Sequence, residues 1–291
     1  MYSGEDLVLD VRINENFRYV DYFVIIESKF KHDGSKKEKK FDLNKFNQFK
    51  DKIKYYFIED LPLNLRIINS SDATEIQKNK KIDNALIREN YQRDMISIGL
   101  ENCEDKDFIL VGDIDEIPNL KNLNFNKLKD NIIIFQQLMF YYKFNLIYKD
   151  FTWYGTKGCI KKKLKSPQWL RNIKNKKYNF FRFDTLFSNT KYTNVKFIEN
   201  GGWHFSNIMN SKDLFDKLSS FLHHVDFQES SLTKKDIENK IKKNLVFYDH
   251  QANSDQKNKW EFEKKLHKFK VSELPNHISN NLEKFSNWIE K

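Results

Sequence analysis

Cysteine is scarce in this 291-residue chain, which contains only Cys103 and Cys159. Two cysteines cannot form a disulfide framework or a four-cysteine zinc site, and such scarcity is typical of proteins in a reducing compartment. The sequence also lacks a signal peptide and any apolar stretch long enough to span a bilayer. We therefore expect a cytoplasmic protein whose contact with a membrane would be peripheral.

Glycine and proline are scarce too, with 8 and 4 residues. Hydrophobic residues make up 39% of the chain, and phenylalanine alone occurs 26 times, which excludes a disordered or low-complexity protein. The sequence shows no internal repeat and no flexible linker. We predict one folded unit over residues 1–230, with a helical extension over residues 231–291 packed on it.

Positive charge is in excess, with a formal net charge of +10 and a pI of about 9.2. A basic chain suits anionic partners such as nucleotide phosphates, nucleic acid or an anionic membrane, although a solvated lysine-rich surface explains the same excess. The lysines and aromatic residues do not interleave in a recognisable nucleic-acid-binding motif. We therefore expect no nucleic-acid partner, and we retain peripheral contact with an anionic membrane.

Hydrophobic patterns predict alternating strands and helices. The predicted strands cover residues 22–26, 54–58, 108–111 and 132–135, and the predicted helices cover residues 5–17, 83–100 and 211–221. Strands that alternate with helices usually form βαβ units. The expected fold class is therefore α/β, with a mixed, mostly parallel sheet flanked by helices.

The clearest chemical signal lies in residues 108–118, with the sequence FILVGDIDEIP. A buried strand stops at Gly112, and the acidic residues Asp113, Asp115 and Glu116 follow. Asp113 and Asp115 are two residues apart, so their side chains point the same way on an extended backbone. Neighbouring carboxylates repel, and each pKa rises unless a cation neutralises both. The pattern predicts a divalent metal with oxygen ligands; the alternative is a polar strand end that leads into a turn.

Two further stretches are unusual. Residues 140–154 are dense in aromatic side chains, which form either a core or flat surfaces for sugar rings. Residues 198–206, with the sequence IENGGWHFS, place Trp203 and His204 directly after paired glycines. Such glycines permit a positive φ or a close approach of the backbone to another group.

Four segments, in this order along the chain, resemble glycosyltransferase family 17, which contains β-1,4-mannosyl-glycoprotein N-acetylglucosaminyltransferases. They are DLVLDVRINENFRYVDYFVIIES (6–28), RENYQRDMISIGL (88–100), DFILVGDIDEIPN (107–119) and GGWHFSN (201–207), with a weaker match in KLSSFLHHVDF (217–227). The resemblance implies a GT-A-type fold with one Rossmann-like sheet and residues 1–230 as the catalytic domain. It also implies a nucleotide-sugar donor, a Mn²⁺ or Mg²⁺ cofactor and inversion at the anomeric carbon.

The resemblance also implies roles for single residues. Asp113 and Asp115 match the D-x-D motif that bridges the metal and the donor diphosphate. Glu116 belongs to the same motif, and we assign it a catalytic role towards the sugar. Glu27 and Ser28, at the end of an early strand, would lie near the nucleoside of the donor.

Three more residues are assigned to the donor and metal sites by the same resemblance. Arg93 would face the donor phosphates, Trp203 would contact the donor, and His204 would be an extra metal ligand. Family members usually have a short strand before the equivalent of Glu5. Only four residues precede Glu5 here, so we expect that strand to be nearly absent.

An inverting transfer needs a carboxylate that takes the proton of the acceptor hydroxyl. The candidates are Asp226, Glu199 and Asp184. We favour Asp226, because the matching stretch of the family also ends in an acid.

The expected reaction moves a sugar, by family default N-acetylglucosamine from UDP-N-acetylglucosamine, onto a glycan or glycolipid hydroxyl. The acceptor itself is not readable from the sequence. The alternative is a metal-dependent phosphoryl-transfer enzyme or nuclease, since the same Asp-x-Asp-Glu pattern with positive charge suits phosphate chemistry. A non-catalytic nucleic-acid-binding protein is a weaker third reading of the net charge.

Overall fold

The helices and strands follow from a computed structural model, which describes residues 1–179, 181–250 and 259–291. The helices are α1 (Asp6–Asn16), α2 (Thr74–Asp94), α3 (Pro167–Asn172), α4 (Ser211–Leu218), α5 (His224–Glu229), α6 (Lys234–Lys242) and α7 (Asn276–Ser279). The strands are β1 (Phe23–Ser28), β2 (Ile53–Ile58), β3 (Phe108–Val111), β4 (Glu116–Pro118), β5 (Ile132–Tyr141), β6 (Leu146–Ile160), β7 (Val195–Ile198), β8 (Gly202–Ser206), β9 (Leu245–Val246), β10 (Lys264–Lys265) and β11 (His267–Lys268). The α/β class is confirmed.

The main sheet is built around β5 and β6, which pair as a long antiparallel hairpin. β6 also runs antiparallel to β3 and β11, whereas β5 runs parallel to β7 and β8. β4 pairs antiparallel with β8, and β1 and β2 form a separate parallel pair. The prediction of a mixed sheet is confirmed, but the prediction that it is mostly parallel is wrong. The GT-A-type arrangement stays a prediction.

The hairpin explains why the parallel prediction failed. The predicted strand 132–135 continues to Tyr141, and the chain then reverses within a few residues into β6. A short turn joins antiparallel neighbours, whereas parallel neighbours need a long crossover. The turn has no glycine; Tyr142 adopts a φ of 62°, and both Tyr142 and Phe144 are buried. Core packing therefore stabilises this turn, and the sequence carries no ordinary turn signal for it.

The predicted helices form with shifted ends. The helix predicted over residues 5–17 is confirmed as α1. The helix predicted over residues 83–100 begins earlier, at Thr74, and its last six residues form a 3-10 helix, Met95–Leu100. The strand at Phe108–Val111 is confirmed as β3.

The segment after residue 230 is only partly helical. It contains α6 and α7, but also β9 to β11 and short 3-10 turns, so the expected helical extension is wrong in its secondary structure; residues 251–258 lie outside the described residues. Ile237, Val246 and Trp260 pack in one cluster with Met139 and Tyr141 of β5. The segment thus contributes to the core, and the boundary at residue 230 stays a prediction.

The paired glycines bring β8 against β4. Gly202 adopts a φ of 114°, and a Cβ atom there would lie 2.1 Å from the carbonyl oxygen of Ile117. The expected positive φ and close approach are both confirmed. At the chain start, Tyr2 forms a single parallel bridge with Glu27, so the early strand is reduced to one residue pair. No helix in the described ranges combines the length and the apolar character that crossing a bilayer needs.

Candidate active site

The acidic motif forms a tight turn between β3 and β4. The backbone N–H of Glu116 donates to the carbonyl oxygen of Asp113 at 3.1 Å, which closes the turn. The argument from an extended backbone is therefore wrong for Asp113 and Asp115. Both residues nevertheless line one cavity of about 930 Å³, as does the buried Ile114 between them.

Two arginines hold the carboxylate of Asp113. Nη2 of Arg93, on α2, lies 3.2 Å from Oδ1, and Nη2 of Arg171, on α3, lies 3.1 Å from Oδ2. Burial raises the pKa of Asp113, but the charges of Arg93 and then Arg171 outweigh burial and hold that pKa well below its ordinary value. Asp113 is therefore ionised throughout the physiological pH range. Arg93 is not among the residues that line the cavity, and its assignment to the donor phosphates stays a prediction.

Glu116 is fully buried and is not among the residues that line the cavity. Its Oε1 accepts hydrogen bonds from Nε1 of Trp153 and Nη2 of Arg171, both at 2.8 Å. Its Oε2 accepts from Nη1 of Arg171 at 2.9 Å and from the backbone N–H of Asp113 at 3.1 Å. Both oxygens of Glu116 are therefore occupied by hydrogen bonds within the protein, and its catalytic role stays a prediction.

Asp115 and His204 form the second pair in the cavity. The register of β4 on β8 places His204 opposite Glu116, and Nε2 of His204 lies 3.4 Å from Oδ2 of Asp115. The His204 ring stacks on Trp153, with centroids 4.5 Å apart, and its Nδ1 is buried without a hydrogen-bond partner within the described ranges. Burial raises the pKa of Asp115, but His204 outweighs burial and lowers that pKa overall.

The residues assigned to one metal are only partly brought together. Asp115 and His204 are adjacent, whereas the oxygens of Asp113 face the two arginines. In the part of the chain that the structure describes, no three histidine, cysteine or acidic side chains are grouped as ligands of one metal ion.

Three residues predicted to bind the donor are not among those that line the cavity. Glu27 is fully buried, and its oxygens accept hydrogen bonds from Nζ of Lys37, the hydroxyl of Tyr55 and the backbone of the loop after β1. Ser28 Oγ accepts from a backbone N–H two residues further on. Trp203 is the residue before His204 on β8, so its side chain points to the opposite face of the sheet, where Nε1 donates to a backbone carbonyl. Glu27 and Ser28 thus shape the loop that borders the cavity.

The three candidate bases are also outside the cavity lining. Asp184 and Glu199 are exposed, and Asp184 pairs with Arg182. Asp226, on α5, is half exposed, and its Oδ2 lies 3.6 Å from Nδ1 of His223. It is His223 that lines the cavity.

The sequence assigns no role to two residues of the site, Arg171 and Arg12, whereas Trp153 belongs to the aromatic stretch 140–154. In the structure Arg171 pairs with Asp113 and Glu116, and Trp153 donates to Glu116 and stacks on His204. Arg12, on α1, donates hydrogen bonds to the backbone carbonyls of Asp113 and Glu116 and so stabilises the turn. The one available hint is that Arg12 interrupts the buried apolar residues of α1.

His250 lies in the cavity wall against the hydroxyl of Tyr141. Burial, followed by the charge of His204, lowers the pKa of His250 from 6.5 to about 3. Between these two values the unfolded chain binds a proton that the folded chain does not. Stability is therefore highest above pH 6.5 and decreases as the pH falls through this window, by up to about 1.4 kcal/mol per pH unit.

We expect His250→Gln to flatten the dependence of the free energy of unfolding on pH between about pH 7 and about pH 4. Glutamine retains an acceptor for Tyr141 and does not titrate. Urea unfolding at several pH values measures the slope, with His267→Gln, at an exposed position, as the control. Equal slopes for His250→Gln and the wild type would contradict the burial of an uncharged His250.

Comparison with known proteins identifies the family of this chain. The model of glycosyltransferase family 17 matches residues 1–289, which is nearly the whole sequence. Neither the curated proteins nor the solved structures gave a match. A match of this extent covers the acidic turn, the paired glycines and the C-terminal segment together. The chain therefore belongs to glycosyltransferase family 17, and it is a glycosyltransferase.

Proposed function

We propose that this enzyme transfers a sugar from a UDP-sugar donor, by family default UDP-N-acetylglucosamine, to a hydroxyl of a glycan or glycolipid, with inversion. The observation that carries the proposal is the pair of carboxylates, Asp113 and Asp115, on one cavity of about 930 Å³. That volume is in the range of sites that enclose a small ligand such as a nucleotide sugar. Peripheral contact with an anionic membrane stays a prediction from the net charge.

Two side chains on the cavity are suitable ligands for a divalent cation, which is fewer than the three predicted from the sequence. Asp115 and His204 offer a carboxylate oxygen and an imidazole nitrogen 3.4 Å apart, both on the cavity. Cations that bind nucleotide phosphates commonly take one or two protein ligands and complete their shell with water and phosphate oxygens. We therefore propose Asp115 and His204 as the protein ligands of Mn²⁺ or Mg²⁺, and we assign Asp113 to the arginines. When bound, the cation would offset the negative charge that develops on the leaving diphosphate.

The rest of the positive charge comes from the chain itself. Lys217 on α4 lines the cavity, and its charge acts on Asp115. Lys31, in the loop after β1, lines the same cavity. We assign these side chains to the diphosphate, since leaving-group charge is best stabilised by donors that are already in place. Arg93 and Arg171 are not assigned to the diphosphate, because they pair with Asp113 and thereby stabilise the acidic turn.

His223 is the group that we propose takes the acceptor proton. It lines the cavity, and Asp226 lies on the far side of its ring, with Oδ2 3.6 Å from Nδ1. Burial lowers the pKa of His223, so the imidazole is neutral and able to accept a proton near pH 7. Asp226 would orient the ring and stabilise the imidazolium, which modifies the sequence-based assignment of Asp226 as the base itself.

We expect His223→Gln to lower kcat by about a hundredfold to ten-thousandfold, because general base catalysis contributes that much, and to leave donor affinity unchanged. Asp226→Asn should have a smaller effect and shift the acidic limb of the pH profile, because the ring loses its charged partner. Initial rates and donor titrations measure both. If Asp226→Asn abolishes transfer while His223→Gln does not, Asp226 is the base, as the sequence predicts.

A thermal-shift screen tests the proposed donor directly. A ligand that binds only the folded state raises Tm by mass action. We expect stabilisation by UDP-sugars, with Mn²⁺ present, in preference to GDP- and CMP-sugars. No shift with any nucleotide would overturn the donor assignment. Hydrolysis of phosphodiesters without sugar transfer would instead support the phosphoryl-transfer alternative.

A further inference from the structure

A surface loop on the far side of α3 exposes large apolar side chains. The exposed fractions are 76% for Phe183, 75% for Leu186 and 90% for Phe187. Soluble surfaces rarely display several such side chains together unless they bind something. The proposed site uses none of these residues.

A backbone hydrogen bond joins the two ends of this loop. The backbone N–H of Lys174 donates to the carbonyl oxygen of Thr190 at 2.8 Å, which closes the base. We refer to residues 174–191, of which the structure describes 174–179 and 181–191, as the aromatic loop. A 3-10 turn covers Phe183–Thr185, and Leu186 continues in helical conformation. Compact surface loops with tied ends are frequently functional.

The turn places two of the apolar side chains on one side. Residues spaced by three positions share a face of a 3-10 turn, so Phe183 and Leu186 point the same way, and the exposed Phe187 follows directly. Thr185 faces the protein, where it is buried and its hydroxyl donates to the carbonyl oxygen of Arg182 at 2.6 Å. The loop therefore presents an apolar tip to solvent.

The aromatic loop is also rich in positive charge. The aromatic loop contains five basic residues and one acidic residue, Asp184. Arg182 and Lys191 pair with Asp184 at 2.7 and 2.9 Å and neutralise it. Lys176 and Lys177 are exposed, as is Lys174. Segments that insert into the interface of anionic membranes typically combine exposed apolar side chains with flanking lysines and arginines.

We propose that the aromatic loop docks this enzyme on an anionic lipid surface, with the apolar tip inserted and the lysines on the headgroups. Charge complementarity selects this partner. A second exposed apolar segment, with Leu63 at 104% and Ile67 at 78%, is flanked by Glu59 and Asp60 and lacks such a basic surround. It provides a matched control with the opposite charge.

Vesicle co-sedimentation of the full chain tests the proposal, with phosphatidylcholine vesicles containing about 30 mol% phosphatidylglycerol against pure phosphatidylcholine. The wild type should bind the anionic vesicles and bind pure phosphatidylcholine much more weakly. Phe183→Ser/Leu186→Ser/Phe187→Ser should lower the partition constant at least about tenfold, since each apolar side chain withdrawn from water contributes about that factor. Leu63→Ser/Ile67→Ser should bind like the wild type.

A charge-matched pair of variants separates the loop from net charge alone. Lys176→Glu/Lys177→Glu should weaken binding to the anionic vesicles several-fold. Lys234→Glu/Lys235→Glu makes the same change of net charge at exposed positions on α6 and should leave binding nearly unchanged. Equal losses in both variants, or binding unaffected by the apolar substitutions, would overturn the proposal. The assay contains no donor and no acceptor, and Tm checks folding, so its outcome is independent of the proposed reaction.

Discussion

Asp115→Asn is expected to lower the rate of sugar transfer by about a thousandfold or more while the fold is retained. The carboxylate of Asp115 lies 3.4 Å from His204, and both line the cavity. A bound cation stabilises leaving-group charge by several kcal/mol, and each 1.4 kcal/mol is a factor of ten in rate. Asparagine keeps the size of the side chain but loses the charge that would hold the cation.

Direct measurements distinguish this prediction from a general loss of activity. Calorimetric titration with Mn²⁺ should show loss of binding in Asp115→Asn, and the donor should no longer stabilise the variant more when Mn²⁺ is present. Asp216→Asn removes a carboxylate from the same cavity wall, on α4, and should retain most of the activity. Full activity in Asp115→Asn would exclude the metal assignment.

Asp113→Asn should also abolish turnover, but for a different reason. Asp113 is the shared partner of Arg93 and Arg171, so its loss leaves two cations facing each other around the turn. We therefore expect a larger loss of stability in Asp113→Asn than in Asp115→Asn, because Asp113 has two arginine partners and Asp115 pairs with His204. Equal free energies of unfolding for the two variants in urea would show that pairing of the arginines with Asp113 does not stabilise the fold.

Arg171→Met should destabilise the protein by about 3–5 kcal/mol, the usual cost of leaving a buried charge without its partner. The side chain of Arg171 is 12% exposed and pairs with two carboxylates, and one of them, Glu116, is fully buried. Methionine fills a similar volume but offers no charge. Urea unfolding at neutral pH measures the difference.

Two further variants test the physical reason for that loss. Arg182→Met breaks an exposed pair with Asp184 and should cost less than about 1 kcal/mol. Arg171→Met/Glu116→Gln removes the uncompensated buried charge and should recover part of the stability. A loss below about 1 kcal/mol in Arg171→Met would contradict the role of this pair.

The dependence of stability on pH in acid provides an independent check on the ion pairs between Asp113 and the arginines. The pKa of Asp113 is held below its unfolded value of 3.8, so its ion pairs stabilise the fold fully above that pH. This contribution is lost as the pH falls below 3.8, because the unfolded chain then binds the proton first. The stability curves of the wild type and Arg171→Met should therefore approach each other in acid.

Local patterns were sufficient for the centre of the site. A four-residue apolar run that stops at a glycine predicted β3 and located the acidic residues after it, and paired glycines before Trp203 and His204 predicted a positive φ and a close backbone approach. Their physical causes are local, namely burial of a short strand and a φ that only glycine adopts readily. The expectation of a parallel sheet failed because β5 and β6 are joined by a buried aromatic turn, whose stability comes from core contacts.

The roles of single side chains depended on which face of an element met the cavity. Trp203 lies next to His204, which lines the cavity, yet it points away because neighbouring residues on a strand face opposite sides. Glu116 follows Asp115 in the chain, but it is buried under Trp153 and Arg171 and does not line the cavity. Asp226 and His223 are three residues apart, and only His223 lines the cavity. A sequence motif can assign a segment to the active site, but it does not show which side chains of that segment line the cavity.

The sequence by itself determined the family, the α/β class and the two segments that carry Asp113, Asp115 and His204, because each of these follows from residues close together in the chain. Only the tertiary structure decided that Arg171, 58 positions after Asp113, neutralises it. Among 51 basic residues, no pattern distinguishes that arginine. Long-range pairing of buried charges is set by how α3 packs against β3 and β6, and that packing is a property of the whole fold.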